Sequence, residues 1–163
     1  MASDEQPLNT PRINEQSAGG EPAIKVSANR GVADSASSAR EIIATALAPA
    51  AMGTYSQAVR AGAFVFLSGQ IPLHPTTMQI VSAEPAVQIE QVFTNLAAVA
   101  AAAGCTLQDA VKLTVYLTDL SHFGLVNDAM ARHFSPPYPA RAALGVAALP
   151  RGALVEVDAI LLS

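Results

Sequence analysis

Charge is scarce in this chain. Only 13% of its 163 residues are Asp, Glu, Lys or Arg, against roughly 25% in an average soluble domain. A monomer normally displays more, so part of the surface is expected to be covered by copies of the same chain. Lysine is reduced to Lys25 and Lys112, and the net charge is −4. No basic patch is available to neutralise phosphates, which argues against nucleic acid as a partner. Tryptophan is absent and aromatics make up 5%, so the core has to be built from alanine and aliphatic side chains. The lone cysteine, Cys105, excludes an internal disulfide and fits a reducing compartment, hence an expected cytoplasmic location. No apolar run reaches the roughly 18 residues of a membrane span. The acidic start MASDEQPLNT has no charged-then-apolar export signal, so no membrane association is expected.

What is present divides the chain in two. Residues 1 to 38 are rich in Ser, Ala, Asn, Gln, Gly and Pro with almost no bulky apolar side chain. Such a segment cannot offset its ordering entropy, and a disordered N-terminal tail is expected. Residues 39–163 then form one folded domain. Ile42 and Ile43 suggest a short edge strand ending before Pro49, and a second strand is predicted from about Tyr55 to Arg60. AFVFLS, Ala63 to Ser68, is β-rich, and Gly62 makes the last two a hairpin. From Pro85 to Ala103 the apolar residues recur at i, i+3, i+4, i+7 (Ile89, Val92, Phe93, Leu96, Val99), the stripe of an amphipathic helix stopped by Gly104. Ala110 to Thr118 alternates, with Val111, Leu113, Val115 and Leu117 on one side. Ser121 is suited to cap a second helix to about Phe134, with Phe123, Val126, Met130 and Phe134 inward.

The resulting order is β-β-β-α-β-α-β-β, an α+β mixed sheet. Right-handed crossovers running the same way put both helices on one face of it. The opposite face carries Lys112, Tyr116, Glu156 and Asp158 among Leu154 and Ile160. It is too apolar for bulk water and too polar for a core, as an oligomer interface with a wet cleft would be.

The chemistry concentrates near the C-terminus, in YPARAALGVAALPRGALVEVDAI, Tyr138 to Ile160. Two short apolar runs flank the turn residues Leu149 to Gly152. Arg141 heads the first run. Glu156 lies in the second, with Asp158 on the same strand face. A salt bridge or solvated edge charges would account for these residues. So would a carboxylate-binding guanidinium beside a proton-handling acid. Other sites find less support. His74, His122, His133 and Cys105 lack metal-ligand spacing. Asp119, Ser121 and His122 are too close in sequence for a triad. Cys105 follows a helix-stop glycine without a basic neighbour, which suits a structural role. Ser68-Gly69-Gln70 has no phosphate-loop spacing; its glycine would allow close approach of a ligand or another strand.

Four segments in order and register, APAAMGTYSQAV, FLSGQIP, VKLTVYLTDLSHFGLVN and YPARAALGVAALPRGALVEVDAI, resemble the YjgF/YER057c/UK114 family. These are the Rid-type reactive-intermediate deaminases, also known as endoribonuclease L-PSP-like proteins. The resemblance runs from about Glu41 to Ser163. It implies a chorismate-mutase-like fold, a homotrimer with sites between subunits, and hydrolysis of 2-iminobutanoate and 2-iminopropanoate to 2-oxo acids and ammonia without a cofactor. By the same resemblance Arg141 grips the substrate carboxylate and Glu156 activates the attacking water. Tyr55, Ser68, Gly69 and Asn127 line the ligand, and the Ala143 backbone carbonyl holds the water. Thr54 stands where the family usually has a proline before the tyrosine, a change that would loosen that loop, and Ala142 and Ala143 replace more polar residues after the arginine, a difference that bears on substrate preference. Two other functions attach to the same resemblance: a ribonuclease or translation inhibitor, and a non-catalytic trimer binding small carboxylates.

Overall fold

The computed structural model describes residues 40–163; the expected tail and its boundary near residue 38 lie outside the described residues. Eight principal elements follow one another as β1 (Glu41–Ile43), β2 (Ala58–Ala61), β3 (Phe64–Gln70), α1 (Pro85–Ala102), β4 (Ala110–Leu117), α2 (Phe123–His133), β5 (Ala140–Gly145) and β6 (Val155–Leu162). That is the order the sequence implies. A single sheet runs β1-β2-β3-β6-β4-β5. Its neighbours are antiparallel except β4 and β5, which are parallel and joined through α2. A parallel pair needs such a crossover.

β6, last in the chain, is inserted between β3 and β4 at the middle of the sheet. Val155, Val157, Ala159 and Leu161 are buried on one of its faces, in the same apolar cluster as Val92, Phe93 and Leu96 of α1 and Val126 and Met130 of α2. Both helices therefore cover one face. The intervening residues Glu156, Asp158 and Ile160 are only half-buried on the other. Full burial of one apolar side chain stabilises by about 1.5–3 kcal/mol, so the helix-side face holds the fold together.

Three local expectations are corrected, and one pairing is added. The second strand starts at Ala58 instead of Tyr55, because Tyr55 to Gln57 belong to a loop organised by Gln57 itself. Val111 points outward and Ala110 inward; a register shift between Ala110 and Lys112 against β6 adds one residue and flips the alternation. Asp119, not Ser121, caps the approach to α2: its carboxylate accepts from the Ser121 N–H (2.8 Å) at a single 3₁₀ turn, Leu120–His122. The two C-terminal runs, β5 and β6, are not neighbours, since β4 lies between them. The hairpin at Gly62 does form, with that glycine at φ +61 in a two-residue loop between β2 and β3, as such a turn requires.

Neutral buried amides, each hydrogen-bonded through both its oxygen and its nitrogen, pin the loops around the sheet. Gln57 accepts from the Thr45 N–H (2.6 Å) and donates to the carbonyls of Thr45 and Pro49 (3.0 and 2.7 Å). Gln88 donates to the Ser82 carbonyl (2.8 Å) and accepts from the Leu154 N–H (2.9 Å). Asn95, fully buried on α1, donates to the carbonyls of Ile71 and Leu73 (3.2 and 3.0 Å) just beyond β3. Asn95→Leu removes the donor and leaves two carbonyls facing apolar surroundings. It is expected to destabilise the protein by about 2 kcal/mol or more, measured as a lowered urea midpoint with unchanged slope.

Candidate active site

The site begins with a fault in the sheet. Leu67 pairs with Ala159 and Gln70 with Val157, so Ser68 and Gly69 together oppose the single residue Asp158. The bulge turns this part of β3 away from regular pairing. The Ser68 hydroxyl donates to the Ser56 carbonyl (2.6 Å) and its N–H to the Gln57 carbonyl (3.0 Å). The bulge and the loop carrying Tyr55 are thereby tied together. Gly69 serves close approach. A Cβ placed on it would lie 2.0 Å from Glu156 Oε1 and 2.8 Å from Cδ. Any side chain there would occupy the space of the carboxylate. The close approach is to a side chain of the adjacent strand.

Glu156 thus lies against bare backbone in an open cleft of about 630 Å³, lined also by Tyr55, Phe66, Ser68, Gly69, Asp158 and Ile160. Its carboxyl titrates above the ordinary range, first because burial penalises the charged form and then because Asp158 adds a like charge. Tyr116, its cross-strand partner on β4, donates its hydroxyl proton to Asp158 Oδ2 (2.9 Å). That bond, followed by burial, raises the phenol's own pKa. Tyr55 is half-exposed at the rim, its hydroxyl accepting from the Met52 N–H (3.4 Å).

Arg141 belongs to a different cleft, of about 370 Å³, formed with Asn127, Met130, Tyr138 and Pro139. Its Nη1 donates to Asn127 Oδ1 (2.8 Å) and contacts Met130 Sδ (3.0 Å), and its Cζ stands 4.7 Å above the centre of the Phe123 ring. The ring face and the amide oxygen hold the guanidinium flat. Among the described residues, its Nε and Nη2 have no hydrogen-bond partner. That edge matches the two oxygens of a carboxylate.

The expected residues therefore separate into two groups. Tyr55, Ser68, Gly69 and Glu156 share the first cleft; Asn127 and Arg141 share the second. Register explains why. Arg141 pairs with Leu113, whose side chain is in the core, whereas Glu156 pairs with Tyr116 on the other face. Directly paired side chains point the same way, so Arg141 and Glu156 lie on opposite faces of the sheet. Ala143 pairs with Val115 and packs partly against the core, lining neither cleft. Phe123 and Met130 were expected only as inner residues of α2. Their spacing with Asn127 (123, 127, 130) is one helical stripe, the signal by which they were legible as Arg141's supports.

Comparison with protein-family models matches residues 45–162 to the family described as Endoribonuclease L-PSP. The protein DfrA of Myxococcus xanthus is 50% identical over 127 residues, covering 77% of this chain and 97% of that protein. The 2-iminobutanoate/2-iminopropanoate deaminase of Bos taurus is 46% identical, covering 74% of this chain and 88% of that protein. The crystal structure of RidA from the Antarctic bacterium Psychrobacter sp. PAMC 21119 is similar at 50% identity and a TM-score of 0.73, covering 76% of this chain and 99% of that one.

Gly69→Ala is expected to spare the fold, because the atom it meets is the free end of a flexible side chain. Driving Glu156 into another rotamer costs on the order of 1 kcal/mol. Released toward solvent, the carboxyl should titrate lower, nearer an ordinary glutamate. Carbon-detected NMR of side-chain carboxyls checks this, alongside a thermal midpoint close to wild type. An unmoved Glu156 titration would mean that its environment does not depend on the bare backbone at Gly69.

Proposed function

The chain belongs to the endoribonuclease L-PSP family, the YjgF/UK114 or Rid family that its motifs resemble, and from that premise we propose that it is an imine deaminase. Its substrates are small 2-imino acids of the 2-iminobutanoate and 2-iminopropanoate type, its products the 2-oxo acids and ammonia. The observation that carries this is the form of the two half-sites: a guanidinium held flat with one edge unpartnered, and a desolvated carboxyl in a separate cleft. The name of the bovine relative supports the same chemistry. Two lysines and a net charge of −4 do not favour the ribonuclease that the family description names.

Arg141 receives the substrate carboxylate on its Nε and Nη2 edge, the one strong handle on so small a molecule. Glu156 takes a proton from water as the water oxygen bonds to the imine carbon and the C=N π pair moves to nitrogen. It returns that proton to nitrogen, leaving a carbinolamine. The remaining hydroxyl proton then passes through the carboxylate to the same nitrogen, and as C=O forms the C–N bond breaks with its electron pair on departing ammonia, leaving Glu156 as it began. Imine and water become 2-oxo acid and ammonia. Because the two residues lie on opposite faces of one sheet, a complete site takes Glu156 from one subunit and Arg141 from a second. A homotrimer provides three such sites; the exposed apolar side chains of the Glu156 face, Phe64 and Phe66 of β3 and Leu162 of β6, suit its interior.

The two residues should fail differently. Arg141→Ala is expected to weaken binding of 2-oxobutanoate in isothermal titration and to lower kcat/KM. Truncating one partner of a desolvated charge pair costs roughly 2–5 kcal/mol, about 30- to several-thousand-fold. Glu156→Gln should keep that binding and lose turnover. Oxo-acid binding by Arg141→Ala equal to wild type would exclude Arg141 as the carboxylate site.

Sharing of the site across subunits makes a further forecast. Arg141→Ala and Glu156→Gln proteins, unfolded together in equal amounts and refolded, should regain activity that neither has alone. With random assembly about a quarter of the sites draw both intact residues from neighbouring subunits. Mixed protein as inactive as its components, with mixing verified by mass spectrometry, would place the whole site within one chain.

A further inference from the structure

The cleft that holds Glu156 contains a second carboxylate to which no role has been given. Asp158 lies two residues along β6, on the same face and in the same cleft. Tyr116 on β4 stands beside both: it is the cross-strand partner of Glu156, and its hydroxyl bonds Asp158 Oδ2 at 2.9 Å. Asp158 is opposed on β4 by Thr114, and on β3 by the Ser68–Gly69 bulge. β3 therefore brings no charge to the pair. The other titratable groups nearby are few. Lys112 of β4 lies on the same face one step beyond, beside Ile160. Tyr55 stands at the rim, and Arg151 reaches the Met52 sulfur there from the turn before β6.

An isolated acid in a cleft has no reason to keep one protonation state over another beyond its burial. Here one carboxylate has a donor fixed on it and the other has none. Among the described residues Glu156 makes no hydrogen bond, whereas Asp158 receives the phenol. The phenol donates to Asp158 alone, and Asp158 sets a like charge beside Glu156. Two carboxylates in one cleft thus stand in different surroundings, the pattern that separates an acid/base group from a fixed charge.

We propose that Asp158, held by Tyr116, is a positioning residue for Glu156: it supplies a fixed negative charge on the same cleft wall, so that Glu156 takes up and hands on the reacting proton. This rests on Glu156 being the proton-handling group of the deaminase, and it predicts how the neighbours tune it. Removing the Asp158 charge lowers the pH at which Glu156 titrates. Removing the phenol leaves the Asp158 charge less neutralised and raises it. The raised pKa of Glu156, caused by burial and then by Asp158, agrees in direction.

The test uses the full chain as Asp158→Asn and Tyr116→Phe, with Glu156 titrated by carbon-detected NMR and imine turnover measured against pH. The expected result is a Glu156 midpoint shifted down in Asp158→Asn and up in Tyr116→Phe, with the acidic limb of kcat/KM moving in step. A purely structural role would lower turnover at every pH without moving either. A Glu156 midpoint unmoved in both folded variants overturns the proposal while leaving the deaminase reading intact. Should Asp158→Asn not fold, the upward shift in Tyr116→Phe decides alone. Opposed midpoint shifts in a protein that hydrolyses no imine would uphold the tuning pair and sink the deaminase assignment instead.

Discussion

The two-residue alternation of β6, at the middle of the sheet, is the constraint on which the rest of the structure depends. Every second side chain, Val155, Val157, Ala159 and Leu161, goes under the helices. The residues between them are left on the other face, where Glu156 and Asp158 can carry charge without entering the core. A carboxylate on the helix side would cost several kcal/mol unpaired. The same strand therefore supplies both the centre of the hydrophobic core and the acids of the cleft. A one-residue slip would exchange them. The bulge at Ser68–Gly69 gives β3 local irregularity beside β6 without such a slip, and the Glu156 carboxylate occupies the space where a side chain at 69 would be.

Polarity inside the fold is handled by neutral groups. Gln57, Gln88 and Asn95 are buried and hydrogen-bonded, which avoids the desolvation cost of buried ions. The ion pairs are peripheral: Arg60 with Glu41, and Arg132 with His133 around Glu90. Exposed pairs of this kind contribute little. Charge is thus kept off the core, and the guanidinium with its edge unpartnered belongs to a cleft. In a chain with so little charge, that distribution separates stability from chemistry. The core can tolerate change at Arg141 or Glu156 because neither is part of it.

The two proposed half-sites also give a reason for a surface this apolar. Phe64, Phe66 and Leu162 crowd the outer face around the Glu156 cleft, and in the proposed trimer covering them with another copy would bring a second chain to the place where the proposed chemistry needs one. Association and site assembly would then be the same event.

Much of this was determined by the residues alone. The helix of Pro85–Ala102 follows from its 3.6-residue stripe, and the order of the eight elements from period changes and from glycine and proline punctuation. Arg141 and Glu156 stood out because charge is rare and each interrupts an apolar run; the family motifs assigned them roles. Those signals are local, and local signals survive in sequence. The tertiary structure decided which face each residue takes. The bulge that turns Val111 out, the fault that opens β3 at Ser68, and the insertion of β4 between β5 and β6 are pairings between distant segments. Parity along a strand is fixed only relative to its partners, and a single added residue reverses it. For that reason the sequence places Arg141 and Glu156 on neighbouring runs, while the fold puts them on opposite sides of the sheet.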